Sequence, residues 1–250
     1  MKVSRVAAHR APIILIHGDP GRGKTTLALK APKPVAILAE RGMPVGVSVD
    51  AIDGGDSYRG IISALRELFN DPAGYESLII ETLDKVEVLL THDLCERNHW
   101  KNIEQPSFGK GYVAAEQEWQ RHLLRGLMAI RDRHNMLIVM TCHTSVERID
   151  DPRAPSYTSY QPRLHRRVRG PVMDACDAVF FLAEDLNVVT DGEGFRERVR
   201  AAASPQRFLF TEGRPAFAAK NRFGMPAKIP IPLDFDFANL ARYWANPEQS

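Results

Sequence analysis

Short, continuous apolar runs punctuate the chain at residues 13–17, 35–39, 78–80, 136–140 and 177–183. Their length and their Ile, Val and Phe content suit strands buried on both faces of a parallel sheet. Between them the apolar positions recur at helical spacing. Ile61, Ile62, Leu65, Leu68 and Phe69 share one face ahead of an Asn70-Asp71-Pro72 stop, and a second helix starts near Leu83 and runs toward Trp100. Residues 99–111 read as a polar loop, with Pro106 and a Gly109-Lys110-Gly111 turn, before a long helix traced by Tyr112, Ala115, Trp119, Leu123 and Leu127. Strands alternating with helices predict an α/β fold, a mostly parallel central sheet flanked by helices. After residue 183 the pattern turns hairpin-like, with turn signals at Gly192-Glu193-Gly194 and Glu212-Gly213-Arg214-Pro215, and the proline-rich stretch 226–232 is expected to end the regular structure. No linker divides the chain. The expectation is one domain over residues 1–250, with a core at about 13–232 and a tail at 233–250.

The first strand leads into Gly18-Asp19-Pro20-Gly21-Arg22-Gly23-Lys24-Thr25, followed by Thr26 and a helix that Pro32 must stop. Strand, glycine loop and helix are the setting in which such a loop binds a nucleoside triphosphate. Its backbone N–H groups turn inward onto phosphate oxygens, and the helix N-terminus adds its positive end. Lys24, read as solvent-facing, would bridge β- and γ-phosphate oxygens, and the Thr25 hydroxyl would take a Mg²⁺ position. ATP and Mg²⁺ are the implied ligands.

Three strand ends add chemistry. Glu40 follows the second strand; were that strand beside the loop strand, this carboxylate would polarise the attacking water. The alternative is a solvated glutamate in the Glu40-Arg41-Gly42 turn. Glu81 ends the third strand and is the candidate to hold Mg²⁺ through water, with Asp84 one helical turn further on as the poorer choice. His143 follows the strand at 136–140 and would report the γ-phosphate to the segment behind it.

That segment, residues 153–170, reads as a loop with five arginines (Arg153, Arg163, Arg166, Arg167 and Arg169), no carboxylate, and Tyr157 and Tyr160. Arginines interleaved with aromatics suit the backbone and stacked bases of single-stranded DNA; a solvated basic loop is the plainer reading. Further on, Lys220 and Arg222 flank one residue of an extended Lys-Asn-Arg-Phe-Gly segment and can face one phosphate, across a subunit interface, as an arginine finger does. His92, Cys95 and His99 share a helical face, but three ligands without a CxxC or HExxH partner do not make a zinc site, and their spacing is read as coincidence.

Composition changes little. A formal net charge of +2 names no partner, and 44% hydrophobic residues over 250 positions support a sizeable core. The three cysteines are widely spaced and odd in number, which favours reduced thiols in a cytoplasmic compartment. No apolar run reaches membrane-spanning length.

Taken together, these residues resemble the RecA-like core ATPases of bacteriophages, a group that includes the Sak class of single-strand annealing proteins. The resemblance runs from about residue 13 to 232 and rests on the phosphate loop, Ala39-Glu40-Arg41-Gly42, Ile79-Ile80-Glu81-Thr82, Phe108-Gly109-Lys110-Gly111-Tyr112, Thr141-Cys142-His143 and Lys220-Asn221-Arg222-Phe223-Gly224. The last matches the Lys-Asn-Arg-Phe-Gly element of bacterial RadA. The resemblance implies a RecA-like ATPase acting in recombination or strand annealing. Glu40 would be the catalytic glutamate, Glu81 the metal-side carboxylate, His143 the γ-phosphate sensor, and Lys220 and Arg222 cations acting in trans within a homo-oligomer. It also implies a recombination or single-strand-binding protein as partner. Two departures stand out. Glutamate replaces the usual aspartate at position 81, and the core begins without the N-terminal segment by which RecA polymerises, which argues against a RecA-type filament. An AAA+ remodelling or loading ATPase and a small-molecule phosphotransferase are the rival classes; a GTPase would need an Asn-Lys-x-Asp element that the sequence lacks.

Overall fold

The computed structural model describes residues 10–40, 42–43, 46–191 and 198–245. The first parallel strands are β1 (Ile13–His17), β2 (Pro34–Leu38), β3 (Asp50–Ala51), β4 (Ser77–Glu81) and β5 (Leu137–Cys142). Strands β6 (Thr144–Ile149) and β7 (Tyr157–Pro162) form a separate antiparallel hairpin. The last strands are β8 (Ala178–Asp191), β9 (Arg198–Phe210), β10 (Lys220–Asn221) and β11 (Lys228–Pro230). The central sheet has the order β11-β9-β8-β1-β5-β4-β2-β3, with β10 beside β8. From β3 across to β8 every pairing is parallel, and β9, β10 and β11 are antiparallel additions at one side. This is the expected α/β arrangement, a mostly parallel sheet flanked by helices with a C-terminal β region.

Helices cover both faces, so the central strands are apolar on both. Ile13, Leu15, Ile80 and Met140 meet α2 (Tyr58–Asn70), α3 (Leu83–Asn98), α5 (Arg125–His134) and α6 (Arg166–Ala175) in one core. Alternate residues Ile14, Ile16, Ile79 and Val139 meet α1 (Lys24–Ala28), the chain from Met225 to Phe237, and α7 (Ala238–Ala245) in the other. Helix α2 starts where the Ser57 hydroxyl accepts from the Gly60 amide, satisfying one orphan donor of its first turn. Helix α4 (Lys110–Glu118) runs into α5 through a π-helical turn that buries Trp119. Cys95, Cys142 and Cys176 are unpaired. Among the described residues no helix is long and apolar enough to cross a membrane.

Three expectations fail. Residues 153–170 are not a loop: they hold β7 and the first half of α6, and Pro171 stands inside that helix. The proline-rich stretch does not end the regular structure. Lys228–Pro230 pairs with β9 at the sheet edge, where the missing proline N–H is tolerated, and α7 follows. The strand preceding Glu40 is not beside the loop strand, because β4 and β5 stand between β2 and β1. The turn expected at Gly192-Glu193-Gly194, and Arg41 in the Glu40 turn, lie outside the described residues.

Candidate nucleotide site

Residues 18–23 turn at the carboxyl end of β1 and deliver Gly23, at φ 90°, as the N-cap of α1. Gly23 has two reasons to be glycine. Its backbone is left-handed, and a Cβ there would lie 2.2 Å from Nη1 of Arg207. A Cβ on Gly18 would lie 2.3 Å from the Leu182 carbonyl oxygen, so this end of the loop also seats directly on β8. Asp19, Arg22, Gly23, Thr25 and Thr26 are half-buried, and Pro20 and Gly21 are exposed at the tip.

Lys24 is buried rather than solvent-facing, at 5% exposure. Its Nζ donates to the carbonyl oxygens of Gly18, at 2.8 Å, and Asp19, at 2.9 Å. The amine is therefore already held at the mouth of its own loop. Burial pulls its pKa down against the opposing charge of Glu81.

Glu81 is equally committed. Thr25 Oγ1 donates to its Oε1 at 2.9 Å, and Thr141 Oγ1 donates to its Oε2 at 2.7 Å. The carboxylate is 7% exposed, and that burial pushes its pKa up despite the two hydroxyl donors and Lys24. β5 lies between β1 and β4, and the Glu81 side chain reaches across its carboxyl end to Thr25. Next to it, the fully buried Thr82 hydroxyl has no hydrogen-bond partner among the described residues. A hydroxyl and a carboxylate oxygen in contact form a hard-oxygen pair that fits Mg²⁺ with its waters.

Glu40 reaches the same place by another route. The amides of Ala39 and Glu40 donate to the Glu81 carbonyl oxygen at 2.6 and 3.2 Å. Glu40 is thus anchored at the end of β4 rather than β1, and its exposed side chain adds to the upward push on Glu81.

His143 directly follows β5. Its amide donates to Asp84 Oδ1 at 3.0 Å, and its Nδ1 lies 3.0 Å from Asp84 Oδ2. Arg163, leaving the hairpin, donates to the same Asp84 carboxylate. Burial alone would raise the pKa of Asp84, but the Arg163 guanidinium and the His143 amide and ring hold it far below the usual carboxylate range. Asp84 is therefore a fixed anion that orients His143, a role the sequence did not suggest.

The arginines after His143 are distributed, not pooled. Arg153 pairs with Asp151 at the exposed hairpin tip, Arg167 with Glu116, and Arg169 grips Glu147 with two bonds of 2.6 and 2.7 Å. Arg166 is exposed, and among the described residues no carboxylate pairs with it. Tyr157 and Tyr160 are half-buried on β7, with Tyr160 stacked 5.3 Å from Phe181.

Lys220 and Arg222 lie away from the loop. Lys220 stands opposite Val179 on β8, with its Nζ on the Met173 carbonyl at 2.8 Å, and Arg222 reaches Asp177 at 3.3 Å. Asp177 also accepts from the Ile13 amide, so Arg222 sits at the amino end of β1, about 13 Å from the carboxyl end that carries the loop.

Three residues enter the site that sequence reasoning missed. Arg207 donates to the Arg22 carbonyl at 3.2 Å, and its cross-strand partner Glu184 pairs with the Arg22 guanidinium. These contacts brace the loop from β8 and β9. His17, fully buried at the end of β1, has Nε2 2.7 Å from the Ala218 carbonyl oxygen, and burial lowers its pKa to about 4. Only the polar residue closing an apolar strand hinted at it.

The AAA domain family matches residues 10–223. Among solved structures, the RadB recombinase is similar at 13% identity and a TM-score of 0.47, covering 88% of this chain and 85% of that one. The flagellar accessory protein FlaH from Methanocaldococcus jannaschii is similar at 10% identity and a TM-score of 0.38, covering 90% and 91%. No curated protein matches the chain. Since the family match takes in the phosphate loop, Glu81, His143 and nearly the whole sheet, the chain belongs to the AAA domain family.

Proposed function

We propose that this protein hydrolyses Mg-ATP and couples turnover to single-stranded DNA in phage-type recombination or strand annealing. The observation that carries the ATPase reading is the meeting of Lys24, Thr25 and Glu81 at the carboxyl edge of β1 and β4. The loop amides and Lys24 hold the β- and γ-phosphates; Lys24 needs only to exchange two carbonyl oxygens for phosphate oxygens. Thr25 and Glu81 would hold Mg²⁺, which when bound neutralises charge on those phosphates. Glu40, anchored beside Glu81, polarises the attacking water. His143, held through Nδ1 by Asp84, presents its other ring nitrogen to the γ-phosphate.

The same Asp84 carboxylate holds Arg163 at the exit of the β6–β7 hairpin, which supports a link between the phosphate site and DNA on that hairpin. In this reading Arg153, Arg166 and Arg167 meet phosphates, Tyr157 and Tyr160 meet bases, and Arg163 and Arg169 hold the hairpin in place. The distance of Lys220 and Arg222 from their own loop favours action on a neighbouring subunit in a homo-oligomer. The proposed partners are thus single-stranded DNA, a second copy of the chain, and a recombination or single-strand-binding protein. A remodelling ATPase with a helical lid is less supported, because β9 to β11 and the single helix α7 follow β8 among the described residues.

The test is ATP hydrolysis by the purified chain with and without single-stranded DNA. Stimulation by the strand supports the reading. Turnover unaffected by DNA keeps the ATPase and removes the DNA coupling, and phosphate transfer to a small acceptor in place of water makes the protein a phosphotransferase.

A further inference from the structure

A cavity of about 330 Å³ opens beside the phosphate loop, between β7 and the root of the β8–β9 pair. Its walls are the rings of Tyr160, Phe181, Phe210 and Phe217, and Asp19 and Arg22 of the loop stand at its mouth. Tyr160 and Phe181 lie 5.3 Å apart and 23° from parallel, Phe181 and Phe217 5.0 Å and 24°, and Phe210 and Phe217 4.8 Å and 48°. Aromatic side chains in a core interdigitate and leave few voids larger than a water molecule. These four pack on one another, and the ring faces and edges left over line an open space, at the small end of the range for small-molecule sites, about 300–1,000 Å³.

The backbone holds the walls in place. Phe217 bridges to Tyr160, with the Tyr160 amide on the Ala216 carbonyl at 2.8 Å and the Ala218 amide on the Tyr160 carbonyl at 2.9 Å. His17 packs on Phe181 at 5.1 Å and ties the cluster to the end of β1. The rim charges are largely matched, Arg22 with Glu184 and Lys228 with Asp185. Among the described residues nothing bonds the Asp19 carboxylate, which leaves an acceptor at the mouth.

We propose that this cavity is a nucleobase site: a planar base packs on the ring surface that faces the cavity, with Tyr160 and Phe210 its less buried members, while Asp19 accepts a hydrogen bond from the base edge. Stacked walls select a flat π-surface, and an acceptor at the mouth suits ring N–H or amino groups. Two sources share this chemistry, the base of the nucleotide in the adjoining loop and an unpaired base of a strand on the hairpin. The inference rests on the nucleotide and single-strand reading above.

Two affinity ratios test it, ATP against inorganic tripolyphosphate and an oligothymidylate against an abasic oligomer of equal length. Each is measured for the wild type, for Tyr160→Ala, and for Phe217→Leu, which keeps apolar volume and removes a ring. Stacking on aromatic side chains is worth about 1–3 kcal/mol per base, so one ratio should fall about ten-fold in both variants. A fall in the first ratio assigns the cavity to the nucleotide, and a fall in the second to the strand. If both ratios keep their wild-type values in folded variants, or if neither wild-type ratio exceeds one, the cavity is not a base site. Failure of the underlying reading looks different: the wild type then binds neither tripolyphosphate nor oligomer.

Discussion

Thr25 Oγ1 donates to Glu81 Oε1 at 2.9 Å, joining two residues 56 positions apart across the carboxyl edge of β5. The contact fixes where the loop helix and the acid-bearing strand meet. Because Thr141 occupies the second carboxylate oxygen, Glu81 has no freedom to turn away.

A neutral or shorter acid at position 81 should therefore weaken metal use before it harms the fold. Glu81→Gln keeps the shape and removes the charge; Glu81→Asp keeps the charge but cannot reach both hydroxyls. Loss of an outer-sphere metal partner typically costs 10–100-fold in metal affinity, so the Mg²⁺ concentration for half-maximal ATP hydrolysis should rise by about that factor. An unchanged Mg²⁺ titration in both variants removes Glu81 from the metal site.

Lys24→Ala should remove ATP binding while leaving the folded state. Two hydrogen bonds from a charged donor at about 1.5–3 kcal/mol each imply a loss of about a hundred-fold or more once they move from loop carbonyls to phosphates. Titration with a fluorescent ATP analogue measures this, with circular dichroism as the check on folding. An unchanged dissociation constant would mean that the loop is not the nucleotide site.

The phosphate loop, Glu81 and His143 were legible because each sits at the end of an apolar strand, where a single polar residue stands out. What escaped depended on register between distant segments. Nothing near Arg207 marks it; it belongs to the site only because β9 places it opposite Glu184, beside Gly23. Glu40 stands at the expected edge of the sheet, but the condition that its strand lie beside β1 is not met, since sequence order does not reveal that β4 and β5 insert between β1 and β2. The β6–β7 hairpin carries Thr, Ser, Gln and Pro where a buried strand would show Val or Ile. Its backing comes instead from residues 216–218, far along the chain. The arginines of residues 153–170 pair with Asp84 and Glu116 from elsewhere and with Glu147 and Asp151 from just before the segment, so a charge count over the segment alone overstated the free positive charge.

The two α6 arginines Arg166 and Arg169 should accordingly differ in kind. Arg166→Ala should leave stability nearly unchanged and reduce the log-log salt slope of single-strand binding by about 0.7, the share of one phosphate contact. Arg169→Ala should instead lower the melting temperature, since it removes a two-bond pair whose arginine side chain is 13% exposed. Glu147 is itself 35% exposed and keeps the Ser145 hydroxyl as a donor, so the loss is about 1 kcal/mol. Equal effects of the two variants on both quantities would contradict this division.

His17 gives the fold an acid-sensitive point. Its pKa is lowered from 6.5 to about 4, chiefly by burial, so in the folded state the ring stays neutral where an unfolded histidine takes up a proton. The unfolded state thus binds more protons between those values, and stability falls as pH drops through that window, becoming flat in this respect below about 4. The gap corresponds to about 3 kcal/mol. Subtracting the pH profile of His17→Gln from that of the wild type, by urea unfolding from pH 4 to 7.5, should reveal a term of this sign. A difference independent of pH would show that the ring is not held neutral.

Arg222→Ala should bind ATP nearly normally and hydrolyse it slowly. Within its own chain Arg222 sits at the amino end of β1, paired with Asp177, and cannot reach a phosphate in the loop at the other end of that strand. The pair yields readily to a phosphate: the Arg222 side chain is 57% exposed, Asp177 keeps Arg131 and the Ile13 amide as partners, and such a pair is worth about 0–1 kcal/mol. A cation supplied by a neighbour would stabilise the charge spread over the transferring phosphoryl group. Mixing settles the geometry. The Lys24→Ala protein has a dead loop and an intact Arg222; the Arg222→Ala protein has the reverse. Interfaces that join an intact loop to an intact Arg222 should restore part of the turnover, with a maximum at an intermediate ratio. If subunits shown to exchange give no recovery at any ratio, Arg222 takes no part in the chemistry of a neighbouring site.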